Sequence, residues 1–459
     1  MSLVKDLIEL LGVENVLLDD DLSERYFHIW EMDKPLQAMA LVLPRSVVDV
    51  SGIMKLCHRY RTPVVVHGGL TNLVGSTETN GNELVISMEK LNQIEEVDSA
   101  GRTMAVQAGV LLEEIQNTAA QKDLLFPLNF GAKGSAQIGG IISTNAGGLR
   151  VFRFGMTRDL ILGLEVVLAD GTIISSMKKL IKDNSGYDLK QLFIGAEGTL
   201  GIITRAILKL KEAPKSRVSA LIGLDTFEKV LKLLKKLDAG MAGTLSAFEL
   251  IWPETYDAMT GPYANYGPPI PTGYPYYVLT EVLGSDQEGD RKRLESLLAD
   301  SIDHDQILDA AFAETAADLK WFWTLREDVG VFVSHLNNEQ HFDISLPIPL
   351  IGEIVKKIKS HLSQLDVVEH VHCFGHMADG NIHFIIGKSS GSKEAIDAVN
   401  HAVYKELGAI GGSVSAEHGI GVHKKQFLNI SKTQEEVNLM RTIKKALDPF
   451  ALFNPGKIF

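Results

Sequence analysis

Gly131-Ala132-Lys133-Gly134-Ser135-Ala136-Gln137-Ile138-Gly139-Gly140-Ile141-Ile142-Ser143-Thr144-Asn145-Ala146-Gly147-Gly148 is the stretch on which the fold turns. Six of its residues are glycine and several more are small. It offers little side chain to pack, so a flat ligand lying on exposed backbone is the economical explanation. Two shorter stretches repeat the theme. Gly68-Gly69-Leu70-Thr71-Asn72-Leu73-Val74-Gly75-Ser76 follows the β-branched run Pro63–His67, and successive N–H groups there can converge on an anion without a lysine. An ordinary turn is the alternative for that loop. Gly195-Ala196-Glu197-Gly198-Thr199-Leu200-Gly201-Ile202 is the third. None of the three contains GxGxxG or GxxxxGK[ST], which disfavours Rossmann and P-loop sites.

Outward from these stretches the pattern is α+β. Ala38–Leu43 reads as a strand, and Ser46–Tyr60 as a helix with Val47, Val50, Ile53, Met54 and Cys57 at helical spacing. Pro63–His67, Leu84–Ser87 and Met104–Ala108 read as strands; Leu160–Leu168 and Thr172–Ser175 flank a hairpin turn at Asp170-Gly171. At 459 residues the chain exceeds a single core, and a new strand–helix pattern starts after Glu212-Ala213-Pro214-Lys215. The expected division is a helical extension over 1–35, a first domain over 36–213, a second over 214–430, and a helical segment over 431–459 returning to the first. Gly261–Pro275, rich in proline and glycine, reads as a long irregular loop, a lid as readily as a linker.

The net charge of −13 argues against a nucleic-acid footprint or docking on an anionic membrane. Cys57 and Cys373 belong to no CxxC, so a disulfide framework, a four-cysteine zinc site and an iron–sulfur cluster are all unsupported. Met1–Leu18 intersperses charges among apolar residues and reads as an amphipathic helix, not a signal peptide. No apolar run approaches the ~18 residues a membrane span needs. Cytoplasm or an organelle matrix is the expected location.

A second chemical signal lies near residue 380. Gly375-His376-Met377-Ala378-Asp379-Gly380-Asn381-Ile382-His383-Phe384 reads as a hairpin with a tight turn at Asp379-Gly380. That turn sets His376 directly opposite His383 on one face, as a metal requires. Cys373 falls on the other face. A carboxylate must come from elsewhere, and Ser413-Val414-Ser415-Ala416-Glu417-His418-Gly419-Ile420-Gly421 is the obvious donor. Two histidines and one carboxylate leave open positions and suit a catalytic divalent metal, zinc first and manganese second.

The run Gly131–Arg150, the segment Leu164–Thr172 and the segment Asp183–Thr204 closely resemble the flavoenzyme family of D-2-hydroxyglutarate dehydrogenase, D-lactate dehydrogenase and the glycolate oxidase flavin subunit. The resemblance runs from about residue 36 to the C-terminus. It implies a two-subdomain FAD-binding domain of the vanillyl-alcohol-oxidase type, an α+β substrate domain with an antiparallel sheet, and a C-terminal helical segment. The loop Gly68, Gly69, Leu70, Thr71, Asn72, Leu73, Gly75 and Ser76 would hold the pyrophosphate. Pro127, Gly131, Gly134, Ser135, Gly139, Thr144, Asn145, Gly148, Glu197, Ile202 and Asn454 would complete the cofactor site. Members often read Gly-Gly-Asn-Thr-Gly in the first loop, where Leu70 and Asn72 stand here. Relatives with covalent flavin use a histidine after those glycines; His67 precedes them, which implies a non-covalent flavin.

The same resemblance assigns His376, His383 and Glu417 as metal ligands, His418 as the base and Arg326 as the grip on the substrate carboxylate. The metal would acidify the C2 hydroxyl, His418 would take its proton, and the C2 hydride would pass to the flavin. An ion pair with a nearby acid is the bland reading of Arg326. His341, Gly330 and Ile385 stand where D-2-hydroxyglutarate dehydrogenases often carry lysine, threonine and asparagine. Those departures keep D-lactate beside D-2-hydroxyglutarate as substrate, with His341 at the substrate site. Without cysteine clusters the electrons must leave to an external acceptor: an electron-transfer flavoprotein, a quinone or a cytochrome. A homodimer is compatible with the sequence. The rival readings are a flavoenzyme for another alcohol or a lactone, and a flavin subunit that only relays electrons.

Overall fold

The computed structural model describes every residue except Met1, Glu31, Asp33, Tyr263, Asn265 and Val329. Tyr263 and Asn265 belong to the expected 261–275 loop and lie outside the described residues. The chain forms two compact units: Met1–Gly147, Gly155–Ala213 and Glu417–Phe459 make the first, and Gly148–Phe154 and Pro214–Ala416 the second.

The first unit holds two principal sheets. In one, Ala40–Val42 and Val64–His67 run parallel to Leu84–Ser87 on either side of it, and Val16–Leu17 adds antiparallel to Ala40–Val42. Parallel strands need a crossover, and the helix Val47–Tyr60 supplies it. Ser46 Oγ accepts from Asp49 N at its start (3.1 Å), and Arg61 ends it at φ 56°. Its Val50, Ile53, Met54 and Cys57 share a core with Leu3 and Leu7 of the N-terminal helix Leu3–Leu11. The chain end returns here: Phe453 bridges Val64 in parallel, and Val64 N donates to Leu452 O at 2.7 Å. Residues at both termini therefore build this unit. The other sheet is antiparallel, in the order Ile94–Asp98, Thr103–Gln107, Ile202–Lys209, Ile161–Val167, Ile173–Ser176. The last two strands are joined through Asp170-Gly171, with Gly171 at φ 84°.

The second unit is built on seven antiparallel strands in the order Asp309–Phe312, Ser216–Leu224, Tyr276–Gly284, Leu245–Ile251, Val368–His376, Asn381–Lys388, Gln340–Ser345. Directly opposite residues share a face. One row across four strands is Glu249, His376, Asn381, Ser345; the next is Ile251, Phe374, His383, Asp343. On this face Ile251, Phe374 and Ile385 cluster with Phe322, Trp323 and Leu325 of the helix Ala316–Glu327.

Two pieces of chain sit in a different unit from the one their sequence neighbours led us to expect. Residues 148–154 belong to the second unit because Arg150 Nε pairs with the buried Glu281 at 3.0 Å and Arg153 donates to the carbonyls of Thr244 and Leu283. Residues 417–430 belong, with the rest of the C-terminal segment, to the first, where Glu197 accepts from Ile420 N and Gly421 N, each at 2.8 Å.

The hairpin register also corrects the sequence reading. His376 pairs with Asn381, not His383, and Phe374 is the residue opposite His383. The loop is Met377–Gly380 because Met377 N is drawn to Phe248 O (3.1 Å), while Asp379 N and Gly380 N fold back to His376 O. The shift is by two residues, so both imidazoles keep one face. Gly375 is required by this pairing, since a Cβ there would lie 2.2 Å from Asn381 O. Gly375→Ala is expected to destabilise the protein by ~1–3 kcal/mol. A melting curve should fall by several degrees; an unchanged melting temperature would contradict this packing.

Candidate active site

The loop after Val64–His67 carries Gly68 through Ser76. Its backing is the segment that opens the glycine-rich run: a Cβ on Gly69 would lie 2.0 Å from Ser135 O. Leu70 and Gly75 take left-handed φ values of 55° and 72°. Leu70 thus occupies a conformation that asparagine or glycine adopts more readily. Asn72 Oδ1 accepts from Ser76 N at 3.0 Å, its carbonyl receives His28 Nε2, and Ile29 N donates to Leu70 O. Thr71 and Leu73 lie in the same loop, with Leu73 exposed. His67, just before it, is buried and donates to Thr77 O (3.0 Å); burial pulls its pKa down to about 4.

The glycine-rich run divides by role. Gly139 allows close packing, since its Cβ would lie 2.7 Å from that of Ala108. Asn145 caps the helix Ile138–Thr144 at φ 50°. Nothing lies within 4 Å of a Cβ built on Gly131 or Gly140. Gly134 and Ser135 are exposed beside Gly131, whereas Pro127 and Gly148 are buried. The buried side-chain oxygen of Gln137 has no hydrogen-bond partner among the described residues. Open backbone beside an orphaned acceptor fits a planar cofactor rich in donors, as FAD is.

Three of the expected cofactor residues pack or bond their side chains within the protein. Ile202 is part of the sheet core. Glu197 and Asn454 spend their polar atoms on the protein itself: Glu197 on Ile420 N, Gly421 N and Ser76 Oγ, Asn454 on Glu197 O (2.6 Å) and Val66 N (3.2 Å). Burial pushes the Glu197 carboxyl up, against those three donors. Both residues therefore tie the loops of the cradle together.

In the second unit, the rings of His376 and His383 stand 5.4 Å apart and nearly perpendicular. Glu249, opposite His376 in the ladder, places Oε1 2.7 Å from His376 Nδ1 and Oε2 2.7 Å from Arg326 Nε. A carboxylate only accepts, so Nδ1 carries a hydrogen, and in the neutral ring Nε2 is then the acceptor nitrogen. Burial would push Glu249 up, but His376 and Arg326 together hold it below the ordinary glutamate value. Arg326 is itself buried, its guanidinium 4.7 Å over the Phe374 ring. Cys373 is buried, and burial pushes its thiol up. His341 is exposed opposite Ile385, and Gly330 opens the short helix Gly330–Val333.

Glu417 arrives by chain continuity. Asp343 pairs with His383 in the ladder, and Ala416 N donates to both Asp343 O and Oδ2 at 3.1 Å. Glu417 is the next residue, and ligand atoms of His376, His383 and Glu417 lie within 4.8 Å of one another. Two imidazoles and a carboxylate fit a divalent ion such as zinc. A Cβ on Gly147 would lie 2.8 Å from Glu417 Oε1, so the glycine-rich run ends against this acid. Past His418, Glu197 holds Ile420 and Gly421, and Val74 O accepts from Val422 N (2.8 Å) and His423 N (3.2 Å). His418 is half-buried between these anchors.

Glu249 and Gln137 escaped the sequence reading. A lone acid in the apolar run Leu245–Ile251 was the available signal for Glu249. Its partner is 127 residues away, and nothing local names it.

The chain matches the family described as FAD linked oxidases, C-terminal domain, over residues 213–458, and the FAD binding domain over residues 38–176. Among solved structures it is similar to p-cresol methylhydroxylase with substrate bound, with TM-score 0.74 at 14% identity, covering 99% of this chain and 96% of that one. The fold is thus that of the vanillyl-alcohol-oxidase flavoproteins. D-2-hydroxyglutarate dehydrogenase, mitochondrial, of Danio rerio is 36% identical over 417 residues, 91% of this chain and 78% of that protein. A mitochondrial Schizosaccharomyces pombe protein provisionally named a D-lactate dehydrogenase is 36% identical over 441 residues, 94% of this chain and 84% of that protein. This chain belongs to the FAD-dependent D-2-hydroxy acid dehydrogenase family and is an oxidoreductase.

Gly140→Val would fill the open side of the glycine-rich run. It should yield folded protein that retains less flavin, read from the ratio of flavin to protein absorbance; full retention would contradict the cradle. Because folded His67 titrates near 4 and an unfolded histidine near ~6.5, the unfolded chain binds the extra proton between those values. Stability from this group is complete above pH ~6.5 and falls as the pH drops toward 4. His67→Asn should flatten the decline of melting temperature over that window, and an unchanged slope would contradict it.

Proposed function

We propose that the protein oxidises a small D-2-hydroxy acid to the 2-oxo acid, with FAD held non-covalently and a divalent metal assisting, and that D-2-hydroxyglutarate and D-lactate are its leading substrates. The observation that carries this reading is Glu249 joining a buried arginine to one imidazole of a His/His/Glu donor set. The names and 36% identity of the relatives support the substrate class.

When bound, the flavin takes a hydride and the metal polarises the substrate hydroxyl. His376 and His383, with Glu417 following Ala416, would hold the metal. Arg326 would bind the C1 carboxylate through its terminal nitrogens, its Nε being engaged by Glu249. His418 would take the hydroxyl proton, on a loop that Glu197 and Val74 hold still. His341 and Ile385 face each other across the ladder. A protonated His341 would pair with a distal carboxylate, and Ile385 would suit a methyl group. Electrons would then pass to an external carrier.

Anaerobic titration with D- and L-lactate, D-2-hydroxyglutarate, D-malate and glycolate tests the class and the hand. A D-acid should bleach the flavin while L-lactate does not, and prior chelation should slow the bleaching. His418→Asn should slow reduction by ~10²–10⁴-fold. No bleaching by any acid, or equal bleaching by both hands of lactate, would sink this reading.

A further inference from the structure

Glu249 is a fully buried carboxylate in the strand Leu245–Ile251, every residue of which is buried. Such a group is a poor source of stability, because an apolar residue of similar size often serves as well. Its two oxygens are divided: Oε1 meets His376 Nδ1 and Oε2 meets Arg326 Nε, each at 2.7 Å. The ladder fixes the first contact, since Glu249 lies directly opposite His376. The helix Ala316–Glu327 brings the second, and the guanidinium also lies 4.7 Å over the Phe374 ring.

We propose that Glu249 is a positioning residue shared by the metal site and the substrate grip, so that metal affinity and carboxylate affinity rise and fall together. The proposal rests on the functional reading above. One oxygen fixes the His376 tautomer and turns Nε2 outward, as a carboxylate behind a ligand histidine does. The other holds Arg326 by Nε and leaves its terminal nitrogens for the substrate. Glutamine has one acceptor oxygen for two donors, so Glu249→Gln either sets one N–H against another or moves the His376 hydrogen to Nε2, the nitrogen a metal would need. Aspartate keeps the charge but is one methylene shorter, and cannot hold both partners at 2.7 Å.

The test uses FAD-loaded protein stripped of metal and titrated with Zn²⁺ against a chromophoric chelator. Flavin retention and melting temperature are followed in the same samples, and His376→Ala serves as reference. Glu249→Gln should bind Zn²⁺ roughly 10–100-fold more weakly, and the D-acid concentration that half-reduces its flavin should rise as well. Glu249→Asp should fall between it and wild type, and carries the test if the glutamine variant does not fold. A structural role alone would lower the melting temperature and leave Zn²⁺ affinity unchanged. Wild-type Zn²⁺ affinity in both Glu249 variants, with loss in His376→Ala, overturns this proposal and leaves the metal reading standing. Wild-type affinity in His376→Ala overturns the metal reading and this proposal with it.

Discussion

Antiparallel pairing of Leu245–Ile251 with Val368–His376, and of that strand with Asn381–Lys388, sets the chemistry of the second unit. Side chains alternate faces along each strand, so a slip of one residue would move Glu249 or either histidine to the opposite face. With the observed register, an acid, two imidazoles and the Asp343 that steadies Ala416 share two adjacent rows. The register is protected from both ends. Gly375 allows a close approach that any side chain would block, and the loop Met377–Gly380 is pinned by Phe248 O and His376 O.

A different constraint governs the first unit. Its candidate cofactor segments are loops, and loops hold a geometry only when their backbone groups are tied. Glu197 and Val74 O do this for the stretch after His418, Asn454 ties Glu197 to the strand Val64–His67, and His28 and Ile29 tie the loop at 70–72. Glycines stand where neighbouring groups approach most closely. Gly147 lies against the Glu417 carboxylate, and Gly421 lies where a Cβ would come within 2.1 Å of Val74 O. Substitution at Gly421 would displace a loop, whereas at Gly147 it would push the Glu417 side chain.

Much of this was legible in the sequence, for identifiable reasons. Local signals carried the helix Val47–Tyr60, the flanking strands and the Asp170-Gly171 hairpin, because spacing and turn chemistry are short-range. The glycine-rich run announced a cradle through what it lacked. The shared face of His376 and His383 was readable, whereas their register was not: pairing of Met377 with a strand over 120 residues away lengthened the turn. The pairing of Glu249 with His376 was hidden for the same reason. The side-chain partners of Glu197 and Asn454 were equally beyond local reading, since both direct their polar atoms at distant parts of the chain.

In the proposed reading His376 through Nε2, His383 and Glu417 hold one divalent ion. Anomalous diffraction at the zinc edge, from crystals of the FAD-loaded protein grown with Zn²⁺, tests it most directly. A single strong peak ~2.0–2.2 Å from His376 Nε2 and from the other two ligands is the expected result. A peak on Nδ1, or zinc bound elsewhere with these three side chains left bare, would contradict it.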